Sequence, residues 1–135
     1  TGGMGTMGYS IPAAMGAKLA DKKRQVVAVC GDGSFQMSMM ELATMRQFDV
    51  PVKIIVLKNT YLGMVREYQH YTYKDNYSVV DLSGSPDLEK LSAAYDMKFM
   101  RQCTMEGAQD TIKAFLENDE SVLLECIIDP MDLVK

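Results

Sequence analysis

Tryptophan is absent from these 135 residues, histidine occurs once, as His70, and cysteine three times. No CxxC pair and no Cys/His spacing of the zinc-binding kind occurs. An odd set of thiols scattered at Cys30, Cys103 and Cys126 is not a disulfide framework, and Cys30 and Cys126 sit in apolar runs. They read as buried free thiols of a reducing, cytoplasmic compartment. Basic residues are also in short supply, 14 Lys and Arg against 18 Asp and Glu, for a net charge of −4. Nucleic acid and anionic membrane surfaces both require a basic face, so neither is expected as a partner. The single cluster "KKR" at 22–24 has no interleaved aromatics and reads as a solvated helix end. There is no apolar stretch of membrane-spanning length, no secretory leader pattern, no internal repeat and no low-complexity segment.

What is present suits one globular domain: 47% hydrophobic and 24% charged residues, in a length that buries a single core. The chain opens at "TGGMG" without an initiator methionine and closes at "DPMDLVK", so residues 1–135 are expected to be a piece of a longer chain. After the glycines, "YSIPAAMGAKLA" places Pro12 in the first turn of a helix, where a missing N–H costs nothing. "QVVAVC" (25–30) and "VPVKIIVL" (50–57) are continuous β-branched runs, predicted as strands buried on both faces. Between them lie the turn "GDGS" and a predicted helix over 37–48, whose methionines are expected to pack in the core. A loop from Asn59 is predicted to become helical after Gly63. Asp87 is predicted to cap the helix "LEKLSAAYD". "MKFMRQC", "MEGAQDTIKAFLEN" and "SVLLECIID" are read as strand, helix and strand. Helices alternating with buried strands predict an α/β fold, a three-layer doubly wound, mostly parallel sheet with helices on both faces.

Ligands of such sheets sit at the carboxyl ends of the strands. Asp32 and Asn59 each follow a β-rich run and so fall there. A carboxylate between Gly31 and Gly33, joined by an amide oxygen from the next strand end, can hold a hard divalent cation that shares its remaining positions with a diphosphate. The glycines admit a second reading. Gly3-Met4-Gly5-Thr6-Met7-Gly8 fits G-x-G-x-x-G before a helix, with Asp32 as the ribose acid of a nicotinamide dinucleotide-binding module. That reading leaves Asn59 without a role.

"GDG" (31–33) followed after 25 intervening residues by Asn59 resembles the thiamine diphosphate signature that runs from GDG to NN. Together with "GGMGTMGYSIPAAMGAKLA", "GDGSFQMSMMELATM", "VPVKIIVL" and "LGMV", it is similar to the large, catalytic subunit of acetolactate synthase, in its C-terminal thiamine diphosphate-binding domain only. The resemblance is strong from residue 2 to about 70 and looser beyond. It implies Mg²⁺ held by Asp32, Asn59 and the carbonyl of Tyr61. It implies a cofactor bed of Gly5, Met7, Gly31, Gly33, Ser34, Asn59, Leu62, Gly63 and Met64, in which Met7 wedges under the bend of the cofactor. Met64 and Tyr68 are implied to border the substrate pocket.

The implied activity condenses two pyruvates, or pyruvate and 2-ketobutyrate, with loss of CO₂, on the way to branched-chain amino acids. Lys58 stands where the family usually carries the first of two asparagines, and Tyr68 where its biosynthetic members usually carry Trp. The family's activating glutamate lies in an N-terminal domain of a neighbouring subunit. No catalytic residue is therefore expected here, and the isolated chain is expected to be inactive. Glu41 is read as structural and Glu67 as exposed. For the parent chain the resemblance implies a homodimer or homotetramer acting on small 2-keto acids, and leaves room for FAD and a small regulatory subunit. Competing readings are a pyruvate oxidase or glyoxylate carboligase type of thiamine diphosphate enzyme, the dinucleotide module, and an interaction domain with "YLGMV" as its sticky surface.

Overall fold

The structure, a computed structural model, describes residues 3–132. Four strands form one sheet: β1 (Val27–Gly31), β2 (Lys53–Lys58), β3 (Lys98–Gln102) and β4 (Val122–Ile127). Their order is β1-β2-β4-β3 and every pairing is parallel. The expected runs supply these strands, because β-branched and apolar residues suit a pleat covered on both sides.

The layer on each face follows from the direction of each crossover. Parallel connections are right-handed, so β1→β2 and β2→β3, which step the same way across the sheet, put their helices on one face. There α1 (Ser10–Ala20), α2 (Asp32–Gln36), α3 (Glu41–Gln47) and α5 (Leu88–Ala94) pack Ile11, Phe35, Leu42, Met45 and Leu88 onto Ala28, Ile54, Val56 and Leu123. The step β3→β4 runs backwards, so α6 (Ala108–Glu117) lands on the opposite face, where Phe115 meets Val122 and Leu124. The helix layers on both faces are as the sequence predicts, but β1 is not buried on both: Val29 is 54% exposed because it stands at the sheet edge beyond the cover of α6, which corrects the expectation for 25–30. Pro12 falls in the first turn of α1, α4 (Gly63–Tyr73) begins at Gly63, and the Asp87 carboxylate accepts the N–H groups of Glu89 and Lys90. Among the described residues no helix is long and apolar enough to cross a membrane.

Two expectations need correction. "GDGS" is not an open turn: Asp32 is the first residue of α2, with extended Gly31 before it. The helix predicted over 37–48 is also not continuous. Residues 37–40 form tight turns with i→i−3 bonds, Ser38 N–H to Phe35 O and Glu41 N–H to Ser38 O, and α3 starts only at Glu41. The glycine-rich segment comes so close that a Cβ on Gly8 would stand 3.1 Å from Met37 Cβ. The break changes the helical phase, which leaves Met37 and Met40 59% and 64% exposed while Met45 is buried. The methionines therefore divide between core and surface. Cys30 is buried, Cys126 half-buried and Cys103 exposed, all as free thiols.

The central strands bear the stability. Leu123→Ala, at a fully buried position of β4, is predicted to cost about 2–5 kcal/mol. Val29→Ala, on the part of β1 that α6 does not reach, should cost under ~1 kcal/mol. Urea unfolding of both variants checks this, and equal losses would contradict the layer assignment.

Candidate cofactor and cation site

The carboxyl ends of β1 and β2 and the chain just past β4 enclose a cavity of about 450 Å³. Its lining includes Met7, Asp32, Gly33, Asn59, Leu62 and Met64. Smaller hollows of about 260 and 430 Å³ lie toward the amino ends, around Lys53 and around Pro51 and Ser121. In an open parallel sheet the carboxyl-end crevice is the one that binds ligands.

Asp32 is 4% exposed, yet both of its carboxylate oxygens are engaged. Oδ1 accepts the N–H of Gly33 at 2.9 Å, and Oδ2 accepts the N–H of Thr60 at 2.8 Å. The second bond spans the gap between the ends of β1 and β2. Asn59 Oδ1 accepts the N–H of Tyr61 at 2.9 Å, which folds the chain back immediately after β2. Thr60 takes a left-handed φ of 61° to make this turn, and Leu82 N–H caps its carbonyl at 2.8 Å. Among the described residues the Tyr61 carbonyl accepts no hydrogen bond. An ionised carboxylate has about four acceptor positions and an amide oxygen two, so each oxygen here retains capacity for a cation.

The charge of this wall is one-sided. Asp32, Glu67 and Asp132 line the cavity, and among the described residues no lysine, arginine or histidine does. An anionic diphosphate facing three carboxylates is repelled unless a multivalent cation stands between them. Among the described residues no three His, Cys, Asp or Glu side chains cluster as a metal cage. The oxygens available are one carboxylate, one amide and one backbone carbonyl. That set suits Mg²⁺, which takes few protein ligands and completes its shell with phosphate and water. Burial pushes the Asp32 carboxyl above its ordinary pKa, opposed by the Thr60 and Gly33 N–H groups and by the Lys58 charge. Cys30, beside it, is likewise raised, chiefly by burial.

The apolar part is built around Gly33. A Cβ there would meet Leu62 Cδ2 at 3.0 Å and Leu82 Cδ1 and Met7 Cε at 3.1 Å, so those three side chains already close over the glycine. Gly63 is held similarly, its would-be Cβ 2.8 Å from Asn59 Nδ2. Met7, Gly31, Ser34, Leu62, Gly63, Met64 and Tyr61 all line the cavity, and the Ser34 hydroxyl accepts the Gly8 N–H at 2.9 Å. Gly5, with φ of 58°, is exposed and lies outside the lining. Tyr68 also lies outside, 58% exposed, with its ring edge against Tyr73 at 5.9 Å. Glu67 is half-buried and lines the cavity, which corrects the expectation of an exposed residue. It shares a helical face with Met64, three positions earlier on α4, and that spacing was the available signal. Leu82 and Asp132 come from remote segments and carried none.

The family description "Thiamine pyrophosphate enzyme, C-terminal TPP binding domain" matches residues 1–126. The chain is 39% identical over 132 residues to a probable acetolactate synthase large subunit of Methanocaldococcus jannaschii, covering 98% of this chain and 22% of that protein. It is 42% identical over 128 residues to the mitochondrial acetolactate synthase of Schizosaccharomyces pombe, covering 95% and 19%. Against the acetolactate synthase of Arthrospira platensis the identity is 46% over 101 residues, covering 74% and 17%. The chain thus spans about a fifth of the length of the curated relatives it matches.

The raised pKa of Asp32 gives a signed prediction. A carboxyl whose folded pKa lies above its unfolded value contributes stability below the unfolded pKa and loses it as pH rises through the folded one. In the absence of ligand, Asp32→Ala should therefore gain stability relative to the unmodified chain as pH rises from about 4 to 7. Urea titrations at several pH values measure this, and a difference that is flat or falls with pH contradicts it.

Proposed function

We propose, for a chain that belongs to the C-terminal cofactor-binding domain family of thiamine pyrophosphate enzymes, that it serves an acetolactate synthase and holds thiamine diphosphate through Mg²⁺. The observation that carries this reading is the Asp32–Asn59 clamp at neighbouring strand ends, bridged by the Thr60 N–H. Asp32 Oδ1 and Oδ2, Asn59 Oδ1 and the Tyr61 carbonyl would hold the cation, and the cation would hold the diphosphate against an otherwise repelling wall. Gly33 lets the anion come close to the backbone. Met7, Leu62 and Leu82 exclude water from the bed beneath it, with Met7 in the wedge position. Met64, 87% exposed at the cavity mouth, stands where substrate would enter, and Tyr68 lies one turn further along α4.

When bound, thiamine diphosphate supplies the electron sink for decarboxylating a 2-keto acid. The reaction proposed for the parent chain joins two pyruvates to one 2-acetolactate and one CO₂, or joins pyruvate and 2-ketobutyrate in the same manner. Among the described residues the cavity offers no positive side chain for a keto-acid carboxylate, and none of its carboxylates is assigned to activate the cofactor. Both tasks fall to residues outside this chain, in a parent that we place as a homodimer or homotetramer. The isolated domain is then inactive. The family match sets aside the nicotinamide reading of Gly3–Gly8.

With pyruvate, thiamine diphosphate and Mg²⁺, the full-length protein carrying this chain should form 2-acetolactate and CO₂ in a 1:1 ratio. Residues 1–135 alone should form none. Asp32→Ala in the full-length protein should lower the rate by roughly 100-fold. Acetate or acetyl phosphate formed with consumption of O₂ would identify an oxidase instead, and product from glyoxylate alone a glyoxylate carboligase.

A further inference from the structure

Lys58 ends β2 and immediately precedes Asn59. Its ammonium lies 2.7 Å from Oε1 of Glu125, a fully buried carboxylate on the adjacent strand β4. The other oxygen, Oε2, accepts Nε–H of Arg101 from β3 at 2.5 Å, and Arg101 stands 3.7 Å from Glu89 on α5. One carboxylate in the middle of the sheet is thus gripped by cations from both flanking strands. Arg101 is shared between Glu125 and Glu89, so Lys58 and Arg101 together face the two carboxylates.

Lys58 contributes location. Its carbonyl accepts the Ile128 N–H at 3.0 Å, so backbone and side chain are both tied to β4 at the last point before the chain leaves the sheet. The next residues make the turn that meets Asp32. Thr60 at φ 61° is an uncommon conformation for a β-branched residue, and such a conformation persists only where its surroundings hold it. Asp32 and Leu82 hold the turn from beyond, and Lys58 holds its root. Strand ends open more readily than strand centres, so a tie at this root governs how tightly the turn closes.

We propose that Lys58, through its bond to Glu125, is a positioning residue that holds the 59–61 turn closed on Asp32 and thereby sets the affinity of this site for a divalent cation. The first half stands on the sheet geometry, and the second rests on the cation clamp described above. The experiment separates them. Hydrogen exchange of the ligand-free full-length protein is followed in peptides covering 58–63, for the unmodified protein, Lys58→Met, Lys58→Arg and Lys90→Met, the last an exposed control. Lys58→Met should speed exchange at Thr60 and Tyr61 by about tenfold, the scale of losing a charge-assisted hydrogen bond. Peptides from β1 and the centre of β2 should be unchanged, Lys58→Arg should return to within about threefold, and Lys90→Met should behave as the unmodified protein. The Mg²⁺ concentration giving half-maximal thiamine diphosphate binding should rise by a similar factor in Lys58→Met. Unchanged exchange at 58–63, acceleration spread equally over β1 and β2, or failure of Lys58→Arg to restore protection would overturn the proposal. If the unmodified protein binds no thiamine diphosphate with Mg²⁺, the function proposed above falls, and the exchange data still decide whether Lys58 holds the turn.

Discussion

The hydrogen bond from the Thr60 N–H to the Asp32 carboxylate is the contact on which this site depends. It joins the end of β1 to the end of β2, two places that a parallel sheet makes neighbours and the chain separates by 28 residues. A buried carboxylate left without donors would cost several kcal/mol (about 1–3 even for a neutral group), and here two backbone N–H groups offset that cost. Neither donor removes the charge. The site is thus left with a negative group that is structurally satisfied and electrostatically unspent.

The rest of the crevice makes that charge useful. With Glu67 and Asp132 on the same wall and no basic residue among its described lining residues, the cavity prefers a cation to an anion. A diphosphate placed against this wall is repelled without a counter-charge, and that repulsion belongs to the wall as a whole and not to Asp32 alone. The close packing of Met7, Leu62 and Leu82 over Gly33 adds an apolar bed beside this charged edge. A cofactor with an anionic tail and a flat ring system needs both.

Much of this was legible in the sequence because the signals were local. Continuous β-branched runs marked β1 and β2, Pro12 and Asp87 marked helix starts, and the same runs placed Asp32 and Asn59 at strand ends. The departures arose where distant segments meet. The break at 37–40 accommodates the approach of Gly8, which no helical periodicity announces. Leu82 reaches Gly33 from a loop 49 residues away, and Lys58 finds Glu125 only because β4 inserts beside β2. Strand order is a long-range fact, and pair contacts across the sheet inherit its illegibility.

The central claim is that Asp32 and Asn59 act together as a cation-dependent anchor for a diphosphate cofactor. Calorimetric titration of thiamine diphosphate into this chain, with and without Mg²⁺, and into Asp32→Ala, with NADH as the comparison ligand, tests it most directly. The account predicts binding of thiamine diphosphate that requires Mg²⁺, is lost in Asp32→Ala, and has no counterpart with NADH. Binding that is indifferent to Mg²⁺ or survives the substitution, or binding of NADH in place of thiamine diphosphate, would contradict it.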